Sequence, residues 1–208
     1  MYLVKPPYLL RRLSDKNIHW EVKTQEKILY YTFDDGPIPE LTPKVLQILK
    51  KYNAKATFFM VADNIQKHKD VYQQVIDEGH VIGNHSYNHV KGWKLSDKEY
   101  YDNIEQANKI INSKLFRPPY GQITPKQIKE LSKKYHIILW SVLSGDYDKK
   151  TSPEKCLNNI IRNAKKGSII VLHDNIKAET NLLFALEESL FHYSKLGYRF
   201  HNLENIYD

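Results

Sequence analysis

The chain of 208 residues is long enough for one domain with a substantial core and too short for two full-sized domains. Apolar residues make up 41% of it, so a disordered chain is not expected. The formal net charge of +7 would suit nucleic acid or an anionic glycan, but the lysines and arginines form no block of five or more, so we expect no nucleic-acid partner.

The sequence shows no segment for membrane insertion or export. No apolar run reaches the roughly 18 residues that a membrane-spanning helix needs. The N-terminal stretch carries prolines and basic residues without a continuous apolar core, so it differs from a signal peptide. A cytoplasmic monomer is the direct expectation, with a leader already removed as the alternative. Cys156 is the only cysteine, which excludes an intrachain disulfide and predicts a structural thiol in a helix.

The order of the predicted elements indicates an α/β fold. Residues 1–25 are expected to form an irregular lead-in packed on a domain of residues 26–208. Short apolar runs predict about seven strands, at 28–33, 56–61, 80–83, 115–116, 137–142, 168–172 and 198–200. About six helices lie between them, and capping signals place four helix starts at Thr42, Ser96, Thr124 and Ser152. Strict alternation implies a parallel sheet, either closed as a barrel or open and doubly wound.

Polar residues follow the predicted strands at their C-terminal ends. They are Asp34, Asp35, Asn84, His85, Arg117, Asp146, His173 and Asp174. In a parallel barrel these strand ends lie at one face and build the active site. No Gly-rich phosphate loop follows the first strand, so a dinucleotide-binding fold is disfavoured.

Asp34 and Asp35 end an apolar strand at a Gly-Pro turn. Neighbouring side chains of a strand point to opposite faces, but at a strand end that turns both can face one cavity. Burying two carboxylates together requires a cation or a proton. The alternative is a solvated Asp-Gly turn.

Two histidines, His85 and His89, lie four residues apart. On a helical turn such residues share a face, as metal ligands must. Two imidazoles and one carboxylate, for which Asp35 is the natural candidate, make a catalytic site for a divalent ion. The alternative is a pair of surface histidines in a loop.

Two further strand ends offer charged or proton-donating groups. Arg117 precedes two prolines and can hold a carboxylate through a bidentate pair, although a rigid surface turn is the alternative. His173 ends a buried strand, where it can donate a proton or serve as a satisfied core histidine. The acidic loop 144–148 would by itself be an ordinary loop.

Five motifs occur in order along the chain: T-F-D-D-G at 32–36, H-S-Y-N-H at 85–89, R-P-P-Y-G at 117–121, the acidic loop near 146, and V-L-H-D at 171–174. Together they resemble the polysaccharide deacetylases of carbohydrate esterase family 4, the NodB-homology group, over about residues 27–202. The resemblance implies a distorted parallel (β/α) barrel of about seven strands, related to the TIM barrel, that holds one divalent metal ion.

The resemblance assigns roles to the polar residues. It makes Asp35, His85 and His89 the ligands of the ion, usually zinc, with cobalt, nickel or manganese as alternatives. It makes Asp34 the general base and His173 the general acid.

Other residues support this pair by the same resemblance. Arg117 orients the base, and Asp146 supports the acid histidine, although Asp148 competes for that role. The backbone N–H of Tyr120 helps to hold the oxyanion. Tyr147 and Val171 stand where the family often has Trp and Leu, and both are expected to line the acetyl pocket. By residue type, Trp93 and Tyr120 can offer stacking faces for sugar rings, with a place in the core of its loop as the alternative for Trp93.

The activity implied is the hydrolysis of acetyl groups, mainly N-acetyl, from an acetylated glycan or oligosaccharide that contains amino sugars. Chitin fragments and peptidoglycan both fit this description. The alternatives are an esterase for O-acetylated xylan or sugars and a barrel that binds glycan without catalysis. Loss of a catalytic residue would indicate the latter, and none is missing.

Overall fold

The computed structural model describes residues 3–204 except 8, 10, 12 and 13. The strands are β1 (Ile18–His19), β2 (Ile28–Asp35), β3 (Thr57–Met60), β4 (Val81–Asn84), β5 (Leu115–Phe116), β6 (His136–Ile138), β7 (Val142–Leu143), β8 (Ile169–His173) and β9 (Arg199–Phe200). The helices are α1 (Thr42–Lys51), α2 (Ala62–Lys67), α3 (Lys69–Asp77), α4 (Asp97–Ile111), α5 (Pro125–Leu131), α6 (Pro153–Asn163) and α7 (Glu179–Lys195).

The strands form one sheet in the order β1-β6-β5-β4-β3-β2-β8-β7, and β9 pairs with the start of β2. Every strand pair in this order is parallel. The sheet curls into a half-barrel with helices packed around it, which confirms the predicted distorted parallel α/β barrel. All strand ends with the same polarity therefore meet at one face.

Strand β2 is an interior strand of the sheet, paired with β3 and β8, and it positions the aspartate pair. Its odd-numbered side chains Leu29, Tyr31 and Phe33 belong to the core cluster that includes residues of α1 and α7. The side chain of Tyr30 belongs to a separate cluster with residues of β3, β5, β6 and β8, inside the barrel. Asp34 continues this inward series because side chains alternate along a strand. The alternation of side chains along this buried strand therefore places the Asp34 carboxylate inside the barrel.

The predicted strand at 137–142 is wrong as a single element. It is two strands, because β6 pairs with β1 and β5 whereas β7 pairs with β8 at the other end of the sheet. Between them the carbonyl oxygens of Ile138 and Leu139 accept bonds from the Arg117 guanidinium, and the Ser141 N–H binds the Ile169 carbonyl. These contacts lead the chain from one side of the half-barrel to the other. They cannot be predicted from the apolar pattern of residues 137–142.

The N-terminal stretch contributes to the sheet. Ile18–His19 form β1, and the Leu143 N–H of β7 donates to the Val4 carbonyl at 2.8 Å. The stretch therefore forms one edge of the sheet, as β1, and is hydrogen-bonded to the other edge at β7. These edges border the gap at which the half-barrel is not closed. A boundary at residue 25 stays a prediction.

Three of the four predicted helix caps are confirmed. Ser96 and Thr124 form capping boxes at α4 and α5, and Ser152 caps α6. The fourth is wrong by one position: Leu41 is the N-cap of α1. Thr42 instead accepts a bond from the Ile38 N–H and donates to the buried carboxylate of Asp174 at 2.5 Å.

Cys156 lies buried in α6, as expected, and burial raises the pKa of its thiol to about 12. Among the described residues, no helix has the length and apolar character needed to span a membrane.

Candidate active site

A cavity of about 980 Å³ opens at the C-terminal ends of the strands. Nine of the eleven predicted site residues line it: Asp34, Asp35, His85, His89, Trp93, Tyr120, Tyr147, Val171 and His173. The other two, Arg117 and Asp146, are completely buried and contact Asp34 and His173. The structure therefore brings all eleven residues together, and the roles assigned to them stay predictions.

Asp35, His85 and His89 form a cluster able to hold a metal ion. Their candidate ligand atoms all lie within 4.8 Å of one another. Asp35 Oδ1 is 3.1 Å from His89 Nε2 and 3.8 Å from His85 Nε2. The Nδ1 of His85 lies 2.8 Å from the Arg117 carbonyl oxygen, to which it must donate. The lone pair of His85 is therefore on Nε2, the atom that faces Asp35.

The donor set fits a divalent cation on its chemistry. Asp35 Oδ1 is buried and has no hydrogen-bond donor among the described residues. A buried carboxylate oxygen without a hydrogen bond, placed beside two imidazole nitrogens, is stabilised by a cation that offsets the cost of its burial. Two histidines and one carboxylate are also the ligand set of catalytic zinc sites.

The protonation states agree with ligand roles. Burial lowers the pKa of His85 to about 4, so the ring is neutral at pH 7 and keeps a lone pair for a metal. Burial by itself raises the pKa of Asp35, but the nearby His89 ring and the charges of His173 and His85 outweigh it. The pKa of Asp35 therefore lies well below the ordinary value of a carboxyl group, and the group is ionised.

Left-handed backbone at three positions brings the ligands together. Asp35 has φ 83°, which turns its side chain back toward the cavity from the outward direction that alternation along β2 would give it. Ser86 and His89 have φ 68° and 59°, so the segment between the histidines is not the helical turn that the spacing predicted. Non-glycine residues in this region store strain and cluster at functional sites.

The histidine loop is fixed from outside. The Ala62 and Asp63 N–H groups at the start of α2 donate to the carbonyls of Ser86 and Tyr87 at 3.2 and 2.9 Å. The first N–H groups of a helix have no partner within it, so α2 supplies free donors for this purpose. Tertiary contacts thus replace the helical turn.

Arg117 neutralises one oxygen of Asp34. Its Nη1 lies 2.7 Å from Asp34 Oδ1 and 2.7 Å from Thr32 Oγ1, and the guanidinium stacks 4.0 Å from the Phe59 ring. The predicted bidentate pair is wrong, because one nitrogen contacts one oxygen and the other guanidinium nitrogens bind main-chain carbonyls. Asp34 Oδ2 instead lies 4.0 Å from His85 Nε2. One oxygen of Asp34 is therefore paired, and the other faces the metal cluster.

His173 is held by Asp146. Its Nδ1 lies 2.8 Å from Asp146 Oδ1, and its main-chain N–H donates to Asp146 Oδ2 at 2.6 Å. Asp148 instead binds the Lys150 N–H within its own loop, so Asp146 is the carboxylate that contacts the histidine. Burial lowers the pKa of His173, but the Asp146 charge and hydrogen bond outweigh it and raise the pKa to about 9. At pH 7 the ring is protonated.

The walls of the cavity are aromatic and aliphatic. Tyr147 packs edge-on against His173 with ring centroids 4.6 Å apart, and Val171 is buried two residues before that histidine. The Tyr120 ring lies 4.7 Å from His89 and leaves 55% of the residue exposed, while Trp93 is 65% exposed. Both rings at the cavity mouth are accessible for contact with a sugar.

Several lining residues were missed by the sequence prediction. They are Leu3, Pro6, Trp20, Gly121, Leu139, Trp140, Leu143, Asn175 and Lys177. Most come from the N-terminal stretch and from the broken strand around 139–143, for which an apolar pattern predicts only core or surface packing. The polar Asn175 directly follows the V-L-H-D motif. This position could have identified it as a residue of the site.

Known proteins are similar to this chain in both sequence and fold. The sequence model of a family described as polysaccharide deacetylase matches residues 21–137. A peptidoglycan-N-acetylglucosamine deacetylase of Bacillus cereus is 38% identical over 190 residues, which cover 88% of this chain and 89% of the relative.

Solved structures agree with this similarity. The crystal structure of the Bc1960 peptidoglycan N-acetylglucosamine deacetylase, in complex with a naphthyl-substituted N-hydroxybenzamide, has a TM-score of 0.88 and 32% identity, covering 97% of this chain and 96% of the other. A carbohydrate esterase family 4 pseudoenzyme of Bacillus anthracis has a TM-score of 0.81 and 25% identity, covering 98% and 73%. The chain therefore belongs to the polysaccharide deacetylases of carbohydrate esterase family 4, the NodB-homology hydrolases that cleave the acetyl amides of amino sugars.

Proposed function

We propose that the chain is a metal-dependent deacetylase that hydrolyses the N-acetyl groups of an amino-sugar glycan, with peptidoglycan N-acetylglucosamine as the first candidate. The observation that carries the proposal is the buried Oδ1 of Asp35, which has no hydrogen bond and lies beside two imidazoles, with Asp34 Oδ2 and a protonated His173 at the same cavity. The substrate follows from the relative that matches this chain along 89% of its own length.

Asp35, His85 and His89 would hold the ion, with zinc as the first expectation and cobalt, nickel or manganese as alternatives. When bound, such an ion polarises an amide carbonyl and lowers the pKa of water. Asp34 Oδ2 is the oxygen that can accept the proton of the attacking water, because Arg117 occupies Oδ1.

The departing amine needs a proton, and His173 can supply it. With Nδ1–H bonded to Asp146, the proton on Nε2 is the one available to the cavity. The C–N bond then breaks, the amine leaves as the free amino sugar, and acetate is the second product. The Tyr120 N–H is proposed to donate to the oxyanion in the transition state.

The presence of every catalytic group favours catalysis over mere glycan binding. Since the family also contains a pseudoenzyme, membership by itself does not decide the question. In this chain the base, the acid, the supporting Arg117 and Asp146, and the three metal ligands converge on one cavity.

Acetate release from a panel of glycans tests the proposal. We expect release from N-acetylated chitooligosaccharides or peptidoglycan fragments, its loss after treatment with a chelator, and its recovery on adding zinc. Release from acetylated xylan alone would instead indicate the esterase. Full activity after verified removal of metal, or no release from any acetylated glycan, would overturn the proposal.

The N-terminal stretch forms part of the cavity wall through Leu3, Pro6 and Trp20. We expect that deleting residues 1–17, which spares β1 and Trp20, raises KM by roughly tenfold, the effect of about 1.4 kcal/mol of lost substrate contact. The value of kcat should change little, because no hydrogen bond or ion pair joins the described residues of this stretch to a predicted catalytic group. Steady-state kinetics check this, with the exposed Leu9→Ser as the control. A fall in kcat at constant KM would show that the stretch supports the catalytic groups instead.

A further inference from the structure

Asn175 is an uncharged residue that contacts the metal cluster. It lies two residues beyond His173, and its Nδ2 donates to Asp35 Oδ2 at 2.7 Å. Its Oδ1 accepts a bond from the Lys177 N–H at 3.0 Å. Since a main-chain N–H can only donate, the amide oxygen must face Lys177 and the NH₂ group must face Asp35. The orientation of this amide is therefore determined by its own contacts.

This bond makes the two oxygens of Asp35 unequal. Oδ2 is occupied by Asn175, whereas Oδ1 has no donor among the described residues and lies 3.1 Å from His89 Nε2. A free carboxylate can rotate about its last torsion and offer either oxygen or both, because such torsions are broad. The amide of Asn175 restricts that rotation to the position in which Oδ1 points at the histidines.

The main chain of Asp35 is held by a second asparagine. Asn64 of α2 donates from its Nδ2 to the Asp35 carbonyl at 2.9 Å. The left-handed backbone of Asp35, at φ 83°, is thus fixed by one amide, and its carboxylate by another. Two separate elements, α2 and the loop after β8, share the task of positioning one ligand.

We infer that Asn175 is a positioning residue that makes Asp35 bind the metal through Oδ1 alone. The inference rests on the proposed function, since it requires a metal at Asp35, His85 and His89. Binding through one oxygen keeps a coordination position open, which a catalytic site needs for water or substrate. Partners that orient a metal ligand typically contribute 10–100-fold to metal affinity.

Substitutions can separate the role of Asn175 as a helix cap from its role in orienting Asp35. Through Oδ1 the residue also caps the short 3₁₀ helix Ile176–Ala178. Serine caps helices about as well as asparagine and is neutral, but its hydroxyl is too short to reach Asp35 while it caps. Asn175→Ser therefore removes the bond to Asp35 and keeps the cap, whereas Asn175→Ala removes both.

The chain offers a matched control. Asn202 makes the same type of local bond, because its Oδ1 accepts from the N–H of Glu204, two residues later, and it does not line the cavity. Asn202→Ser therefore repeats the chemical change of Asn175→Ser away from the metal cluster.

The experiment measures zinc affinity of the metal-free proteins by competition with a chromophoric chelator. We expect Asn175→Ser and Asn175→Ala to bind zinc about 10–100-fold more weakly than the wild type, and Asn202→Ser to bind it equally. In the metal-free protein both substitutions leave the buried Asp35 carboxylate without its Asn175 donor, so the melting temperature should fall for both, and further for Asn175→Ala, which also loses the cap. With cobalt, the visible absorption of Asn175→Ser should differ from that of the wild type, because the carboxylate changes its binding mode.

Two results overturn the inference. One is wild-type zinc affinity in Asn175→Ser with an unchanged cobalt spectrum. The other is weakened binding in Asn175→Ala alone, which would assign the effect to the cap. Absence of zinc and cobalt binding in the wild-type protein itself would overturn the proposed function and this inference together, so the two failures are distinguishable.

Discussion

Replacing Asp34 by Asn should slow acetate release by roughly 10²–10⁴-fold while metal content stays at the wild-type level. Asparagine can keep the contact between Oδ1 and the Arg117 guanidinium, so the packing around the site is preserved. It has no basic oxygen to replace Asp34 Oδ2, so the attacking water loses its proton acceptor. Asp34 does not belong to the metal cluster of Asp35, His85 and His89, and the ion should therefore remain.

Asp35→Asn is the matched comparison, because it makes the same chemical change one residue along the chain. We expect it to lose metal and activity together, since Asp35 is the one charged ligand of the cluster. Metal content by elemental analysis and acetate release are measured on the same samples. If Asp34→Asn lost the metal and Asp35→Asn kept it, the two roles would be exchanged.

Replacing His173 by Ala should lower kcat by roughly 10²–10⁴-fold without loss of metal, because the departing amine loses its proton donor. The acid must be protonated to act, so activity should fall as pH rises through the pKa of His173, about 9 in this structure. This descending limb of the pH–rate profile should be absent from the residual activity of His173→Ala.

Asp146→Asn gives a finer test of the same pair. The pKa of His173 is raised by the Asp146 charge against the lowering effect of burial. Removing the charge should therefore move the descending limb to lower pH while leaving the ring in place. The measurement is kcat/KM against pH for the wild type and both variants. A limb at the same pH in Asp146→Asn would show that another group controls it.

Features of the fold could be predicted from the sequence where they depend on residues that are neighbours in the chain. Strand β2 is apolar throughout and ends in two aspartates, so its burial and the position of its end could be predicted from neighbouring residues. The capping boxes at Ser96 and Thr124 are also local, since each is complete within four residues. The convergence of Asp35, His85 and His89 could be anticipated because parallel strands end at one face.

Other features depend on contacts between distant segments. The break between β6 and β7 depends on main-chain bonds to Arg117 and Ile169, about 20 to 30 residues away. The bidentate pair predicted for Arg117 fails for the same reason, because these carbonyls occupy its other nitrogens. Side-chain type indicates what a residue can bind, but only the fold shows which partners compete for it.

The sequence by itself determined the α/β class and the set of chemical groups at the strand ends, because these follow from periodicity and residue type. Five ordered motifs carried the resemblance that identified the family. Only the tertiary structure decided how each group is used. It turned Asp35 into the cavity through a left-handed backbone, selected Asp146 over Asp148 as the partner of His173, and placed Asn175 against the carboxylate of Asp35. Each outcome depends on angles and distances of a few ångströms between segments far apart in the chain, and no local pattern of residues encodes these.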